Sequence, residues 1–286
     1  MRFVKNMGMA LALATGATLM LTGCMSPPLI NLLVSNEGYS IKRDIAYGTK
    51  PREMLDIYVP DKITKPASTI LFFYGGSWQS GTKDLYKAFG ETFATKGIIT
   101  VVADYRLYPP ALYPDFVNDG AQALKFVHDH IAQYGGDPNR VFLAGHSAGA
   151  YIAVMLAANP AIVRANGAKP EWIRGAIGIS GPYDFLPLKD KKLITIFGGN
   201  DRIETQPIHY VDGKRAPMFF AWGADDTTVG KRNLVNMAAK LREFGSPVET
   251  KIYPGVTHIG IIVSLAPFFR SRTTLRQDMI EFIKTH

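Results

Sequence analysis

A single cysteine, Cys24, stands in the 286-residue chain. One thiol makes no internal disulfide and no cysteine–zinc cluster, and its place near the N-terminus leaves the fold without a cysteine nucleophile. There is no block of lysines and arginines, no aromatic RNA-binding motif and no zinc-finger spacing. The formal net charge of +8 therefore does not mark a nucleic-acid binder. Internal repeats and low-complexity segments are also missing. The one long apolar run, residues 7–21, is about fifteen residues, short of the roughly 20 that a spanning helix needs. What remains is a globular composition, 47% hydrophobic and 20% charged, with length enough for one large core.

Strand-like and helix-like segments alternate along that length. "YSIKRDIAYG" and "EMLDIYVP" read as an antiparallel pair at a sheet edge. "STILFFYGG", "IITVVADYR", "RVFLAG", "EWIRGAIGISG", "APMFFAWGADD" and "PVETKIYPG" read as further strands. "LYKAFGETFATKG", "FVNDGAQALKFVHDHIAQYGG", "AGAYIAVMLAAN", "KRNLVNMAAKLREFG" and "TLRQDMIEFIKTH" read as helices between and after them. The third of these is expected to stop at Asn159-Pro160. The alternation predicts an α/β fold, with a mostly parallel central sheet and helices on both faces. Residues 181–215 are the least regular part, with prolines at 182, 187 and 207, and read as a small cap-like insertion. The domain is expected over residues 41–286.

In "VFLAGHSAGAY", residues 141–151, a serine stands where a buried strand ends and an apolar helix begins. Gly145 and Gly149 flank Ser147 at two residues on each side. Such a corner is too tight for side chains at the glycines and forces the serine into a strained conformation. Its hydroxyl then stands at the carboxyl edge of the sheet, and the amide of Ala148 opens from the helix N-terminus toward the same space.

A serine hydroxyl attacks only when a base takes its proton. Of six histidines, His128 and His130 fall on a helix and are expected in solvent, His146 within the corner is expected to point elsewhere, His209 falls in the insertion and His286 is terminal. His258, in "YPGVTHIG" after the last strand, has the right order and a loop address. The acid should follow the preceding strand, where Asp225 and Asp226 stand; Asp201 in "FGGNDR" comes earlier. Acyl transfer also needs donors for a tetrahedral oxyanion, at about 3–4 kcal/mol each. Ala148 supplies one amide, and the glycines of "FFYGGSWQSG" let others turn inward. Nothing in this chemistry calls for a metal or a cofactor.

Four stretches carry a family resemblance. These are "YGGSW", the run from "DYRLYPPALYPDF" to "GHSAGA", "QPIHYV", and "GADDTTV" with the later "TH". From about residue 41 onward the chain resembles the α/β-hydrolase carboxylesterases of the hormone-sensitive-lipase-like and BD-FAE-like groups, which include kynurenine formamidases. The resemblance implies Ser147 as nucleophile, Asp226 as acid, His258 as base, and the amides of Gly76, Ser77 and Ala148 as oxyanion donors. Asp226 is favoured because Gly223, Asp226 and Val229 fit the G-x-x-D-x-x-V pattern. Tyr74 departs from the usual histidine and Ser77 from the usual glycine, and Ala150 stands where many relatives have glycine. A small-molecule ester is the implied substrate. An amidase or formamidase with the same residues, and a silent binding protein on the same fold, are the competing expectations. Few long apolar residues in the insertion, with Tyr74 and Trp78 beside the loop, suggest a narrow acyl side and short acyl chains.

The N-terminus carries Arg2 and Lys5, then the apolar run, then "LTGC". This resembles the signal peptide and lipobox of bacterial lipoproteins. It implies removal of residues 1–23, lipidation (palmitate among the acyl groups) of Cys24, and a tether over residues 24–40. The expected address is the bacterial cell envelope, anchored to a membrane. Met25, where an aspartate would signal retention, points to the outer membrane. Cys24→Ser is expected to abolish acylation and processing at that site. An intact mass of the wild-type protein without acyl groups would exclude the lipobox.

Overall fold

The computed structural model describes residue 31 and residues 34–286; Cys24 and residues 1–23, where a signal peptide is expected, lie outside them. Eight strands form one sheet among the described residues. They are β1 (Tyr39–Ala46), β2 (Met54–Pro60), β3 (Ala67–Phe73), β4 (Ile99–Ala103), β5 (Gly136–His146), β6 (Ile173–Ile179), β7 (Met218–Gly223) and β8 (Val248–Tyr253). Their order across the sheet is β1-β2-β4-β3-β5-β6-β7-β8. β2 runs antiparallel to both of its neighbours, and every pair from β4 to β8 is parallel. This is the α/β-hydrolase fold expected from the sequence.

Residue chemistry explains the order. β3, β4, β6 and β7 are almost wholly buried, as their unbroken apolar runs require of strands covered on both faces. The edges are different. β1 is largely exposed, and β8 carries Glu249 and Lys251 outward, which discourages pairing with another chain. The covering helices are α1 (Lys87–Ala94), α2 (Asp115–His130), α3 (Ala148–Ala158), α4 (Pro160–Ala165), α5 (Lys191–Phe197), α6 (Arg232–Glu243), α7 (His258–Val263) and α8 (Leu275–Thr285). All eleven residues of α3 are buried, in keeping with a helix that is apolar on every side. Among the described residues no helix is long and apolar enough to cross a membrane.

One reading is borne out and extended here, and one is corrected. Asn159-Pro160 ends α3 but also starts α4: the Asn159 side chain accepts from the amides of Ala161 and Ile162, and Pro160 occupies the first turn. Residues 181–215 are not poor in buried apolar groups. Tyr183, Leu188, Ile196, Phe197 and Val211 join the core, and α5 forms behind an Asp190 cap. Tyr151 on α3 donates to the Thr205 carbonyl at 2.6 Å and ties this segment down.

The corner between β5 and α3 is as tight as its sequence demands. A Cβ on Gly145 would stand 2.2 Å from the Gly149 backbone, and one on Gly149 would stand 2.0 Å from the Phe73 carbonyl oxygen on β3. Gly149→Ala is therefore expected to lower stability by about 3 kcal/mol, the upper end for overpacking. That is a fall of roughly 6–12 °C in Tm for a domain of this size. Gly230→Ala is the control, since its added carbon meets nothing within 4 Å. Equal melting of the two variants would contradict the corner.

Candidate active site

The carboxyl ends of β3, β5, β7 and β8 all face one edge, and the loops leaving them meet there. Ser147 follows β5 with φ 54° and ψ −121°. A non-glycine residue held at such angles costs about 1–3 kcal/mol. Its amide donates to the Ile179 carbonyl on β6 at 2.9 Å, which fixes the corner to the neighbouring strand. The hydroxyl is thereby presented to the solvent edge.

His258 lies 2.9 Å from the serine through Nε2···Oγ, and 2.8 Å from Asp226 through Nδ1···Oδ2. An ionised carboxylate only accepts, so Nδ1 carries the proton and Nε2 offers its lone pair to the hydroxyl. Asp226 Oδ1 accepts from the amides of Thr228 and Val229 at 2.9 and 3.0 Å, so both carboxylate oxygens are engaged. Burial opposes ionisation of Asp226. The hydrogen bonds from His258 and the Val229 amide outweigh it and hold the carboxyl below the usual carboxylate range. A carboxyl lowered in this way stabilises the fold above its unfolded-state pKa. That contribution is lost only as pH falls toward the lowered folded value. The structure thus brings together the three side chains singled out in the sequence. Asp225 and Asp201 are both exposed and take no part in this chain of bonds.

The loop after β3 supplies the facing wall. Gly76, Ser77 and Trp78 all have positive φ, at 134°, 52° and 59°. A Cβ on Gly76 would meet the Ser80 carbonyl oxygen at 2.1 Å, so only glycine fits. The Gly76 carbonyl turns back into the loop, where it accepts from the amides of Gln79 and Ser80 at 2.9 and 3.1 Å. Among the described residues the amides of Gly76, Ser77 and Ala148 have no protein acceptor. Ser77 lines the space beside Ser147 together with Gly76 on one side and Ala148 on the other. These are amide donors without protein acceptors among the described residues, on residues that line the space around Ser147, which is what an oxyanion site requires.

The readings of four residues are corrected. Tyr74 does not narrow the site, because it is fully buried beneath the loop. Its hydroxyl donates to Asp104 Oδ1 at 2.6 Å and accepts from Arg52 at 2.5 Å. Arg52 also donates to the Gly81 carbonyl at 2.8 Å, and Asp104 accepts from the Lys83 amide at 2.8 Å. Both ends of the loop are therefore pinned to the end of β4. Burial pushes the Tyr74 hydroxyl far above its usual range, so it stays a donor. His146 does not point away from the site. Its Nε2 donates to the His258 carbonyl at 2.8 Å, and the two rings lie 4.8 Å apart. Burial, with the neighbouring His258, pushes His146 down to about 3, so it is neutral across the physiological range. It acts as a fixed strut under the loop that carries His258. His258 itself opens α7, capped by Thr257, rather than lying in open loop. Among the other histidines, His130 is exposed as expected, but His128 stacks on Trp172 at 3.7 Å.

Comparison with known proteins agrees with this fold. The BD-FAE family profile matches residues 55–241. The chain is 29% identical over 265 residues to an isoprenylcysteine alpha-carbonyl methylesterase of Arabidopsis thaliana, an alignment covering 85% of this chain and 62% of that protein. A second Arabidopsis relative is matched over 52% of its length. The chain thus spans about half to two thirds of the length of these curated relatives. A carbohydrate esterase from gut microbiota superposes with a TM-score of 0.76 at 18% identity, over 88% of this chain and 98% of the other. Esterase 2 of Thermogutta terrifontis with butyrate bound superposes at 0.64 with 25% identity, over 78% and 85%. The profile covers well over half of the sequence, and the chain belongs to the BD-FAE family of α/β-hydrolases.

Proposed function

We propose that the protein is a serine carboxylesterase that hydrolyses short-chain acyl esters of small molecules. The observation that carries this reading is the unbroken chain of hydrogen bonds from Ser147 through His258 to Asp226. His258 takes the hydroxyl proton as Ser147 Oγ attacks the ester carbonyl. The oxyanion is held by the amides of Gly76, Ser77 and Ala148. His258 then protonates the leaving alcohol, and water resolves the acyl-enzyme by the same steps in reverse. Asp226 stays ionised throughout and stabilises the imidazolium. Trp78 and Phe185 line the space beyond the oxyanion donors, where the acyl group would lie. The butyrate-bound relative supports an acyl group of that size. A lipid anchor at Cys24 would hold this domain at a bacterial envelope membrane, on the "LTGC" pattern of its leader.

One kinetic series tests the assignment: kcat/KM on p-nitrophenyl esters from acetate to palmitate, dispersed below their micellar limit. Acetate and butyrate are expected to exceed the C12 and C16 esters, in graded steps. Ser147→Ala should lose on the order of 10⁶-fold in kcat and Asp226→Asn roughly 10⁴-fold, while Asp225→Asn changes little. Rates climbing steadily to C16 would exclude the short-acyl preference. A sensitive Asp225 with a tolerant Asp226 would move the acid.

A further inference from the structure

Ser147 stands between two cavities of opposite chemistry. The first, about 540 Å³, is walled by Leu85, Phe89, Ile259, Ile262 and Val263, and among the described residues no lysine, arginine, aspartate or glutamate lines it. The second, about 560 Å³, is lined by Trp78, Phe185 and Leu188, and by Lys189 and Arg232, with no acidic residue in its lining among the described residues; Asp190, next to Lys189, is turned to the Leu193 amide as a helix cap. Neither cation has an ion-pair partner among the described residues. Arg232 is oriented instead by donating to the Leu186 carbonyl at 2.9 Å. One guanidinium nitrogen is thus committed to the backbone, and the rest of the fork is left to a ligand. The two cations come from different segments, the insertion and the first turn of α6, and converge on one cavity.

The chemistry of Ser147 decides which part of an ester enters which cavity. The leaving oxygen takes its proton from His258 Nε2, so the alcohol departs on the histidine side. His258 lines the first cavity and not the second. The candidate oxyanion donors span both, Gly76 lining the first, Ala148 the second and Ser77 the two together, so the histidine alone sets the direction. The alcohol therefore occupies the apolar cavity and the acyl chain the cationic one. We propose that the preferred substrate is an ester with an apolar alcohol and an acyl group ending in a carboxylate, a half-ester of a dicarboxylic acid. Lys189 and Arg232 read the free carboxylate. This assignment rests on Ser147 acting as nucleophile.

The test compares two acyl chains of equal length on one leaving group, p-nitrophenyl hexanoate and the p-nitrophenyl monoester of adipic acid. The adipate is expected to show the higher kcat/KM, by about 5–10-fold at low salt, because exposed charges attract but are screened. Moving the charge to the other side should reverse the preference, so 4-carboxyphenyl acetate should be cleaved more slowly than phenyl acetate. Both R232Q and K189Q should bring the adipate-to-hexanoate ratio toward one, and 0.5 M sodium chloride should compress it in the parent. Lys189 makes no hydrogen bond among the described residues, so K189Q reports on charge without a change in packing. An adipate no better than the hexanoate, or a ratio that neither variant moves, overturns the proposal while leaving the esterase intact. If the parent enzyme hydrolyses none of these esters, the esterase reading itself is overturned.

Discussion

Everything at the candidate site depends on one strained residue. Ser147 sits at positive φ because β5 must turn into α3 within a single residue, and two glycines with no room for a methyl group allow the turn. Strain of about 1–3 kcal/mol at that point is held by the burial of every residue of α3 and by the bond from the Ser147 amide to β6. Relaxing the corner would turn the hydroxyl away from His258 and move the Ala148 amide with it. The proposed nucleophile and one proposed oxyanion donor are thus positioned by a single backbone constraint.

The remaining parts are held by buried polar groups rather than by packing alone. Arg52, Tyr74 and Asp104 form one connected set beneath the loop that carries Gly76 and Ser77. Burial raises the Asp104 carboxyl, while the bonds from Tyr74 and the Lys83 amide and the charge of Arg52 pull it back. Removing one member would leave the others buried without partners, which is costly in a low-dielectric interior. His146 does the same work below α7. Because it stays neutral, its bond to the His258 carbonyl does not place a second positive charge beside the base.

The alternation of strands and helices, and Ser147 and His258 as candidates, were legible in the sequence for physical reasons, whereas the choice of Asp226 over Asp225 came from the family resemblance. Buried parallel strands need continuous apolar runs, and the corner needs its glycines. The acid and base follow later strands, where the carboxyl edge gathers them. Other features were not legible because they depend on residues far apart in the chain. Tyr74 reads as a bulky neighbour of the oxyanion loop until Arg52 and Asp104 are seen to claim its hydroxyl. His146 reads as a turn residue until β8 brings the His258 carbonyl within reach. The helix α7 is only six residues long and gave no periodicity to read. The contrast between the two cavities is built from α1, α7, the insertion and α6, and no single stretch announces it.

The central claim is that Ser147 is an activated nucleophile, and its most direct test is covalent. Folded protein treated with a fluorophosphonate and digested for mass spectrometry is predicted to carry one adduct, on the peptide containing Ser147. Among the described residues the hydroxyls of Ser77 and Ser80 in the facing loop have no histidine partner, and they should remain unmodified. No adduct, or an adduct on another hydroxyl with Ser147 untouched, would contradict the account.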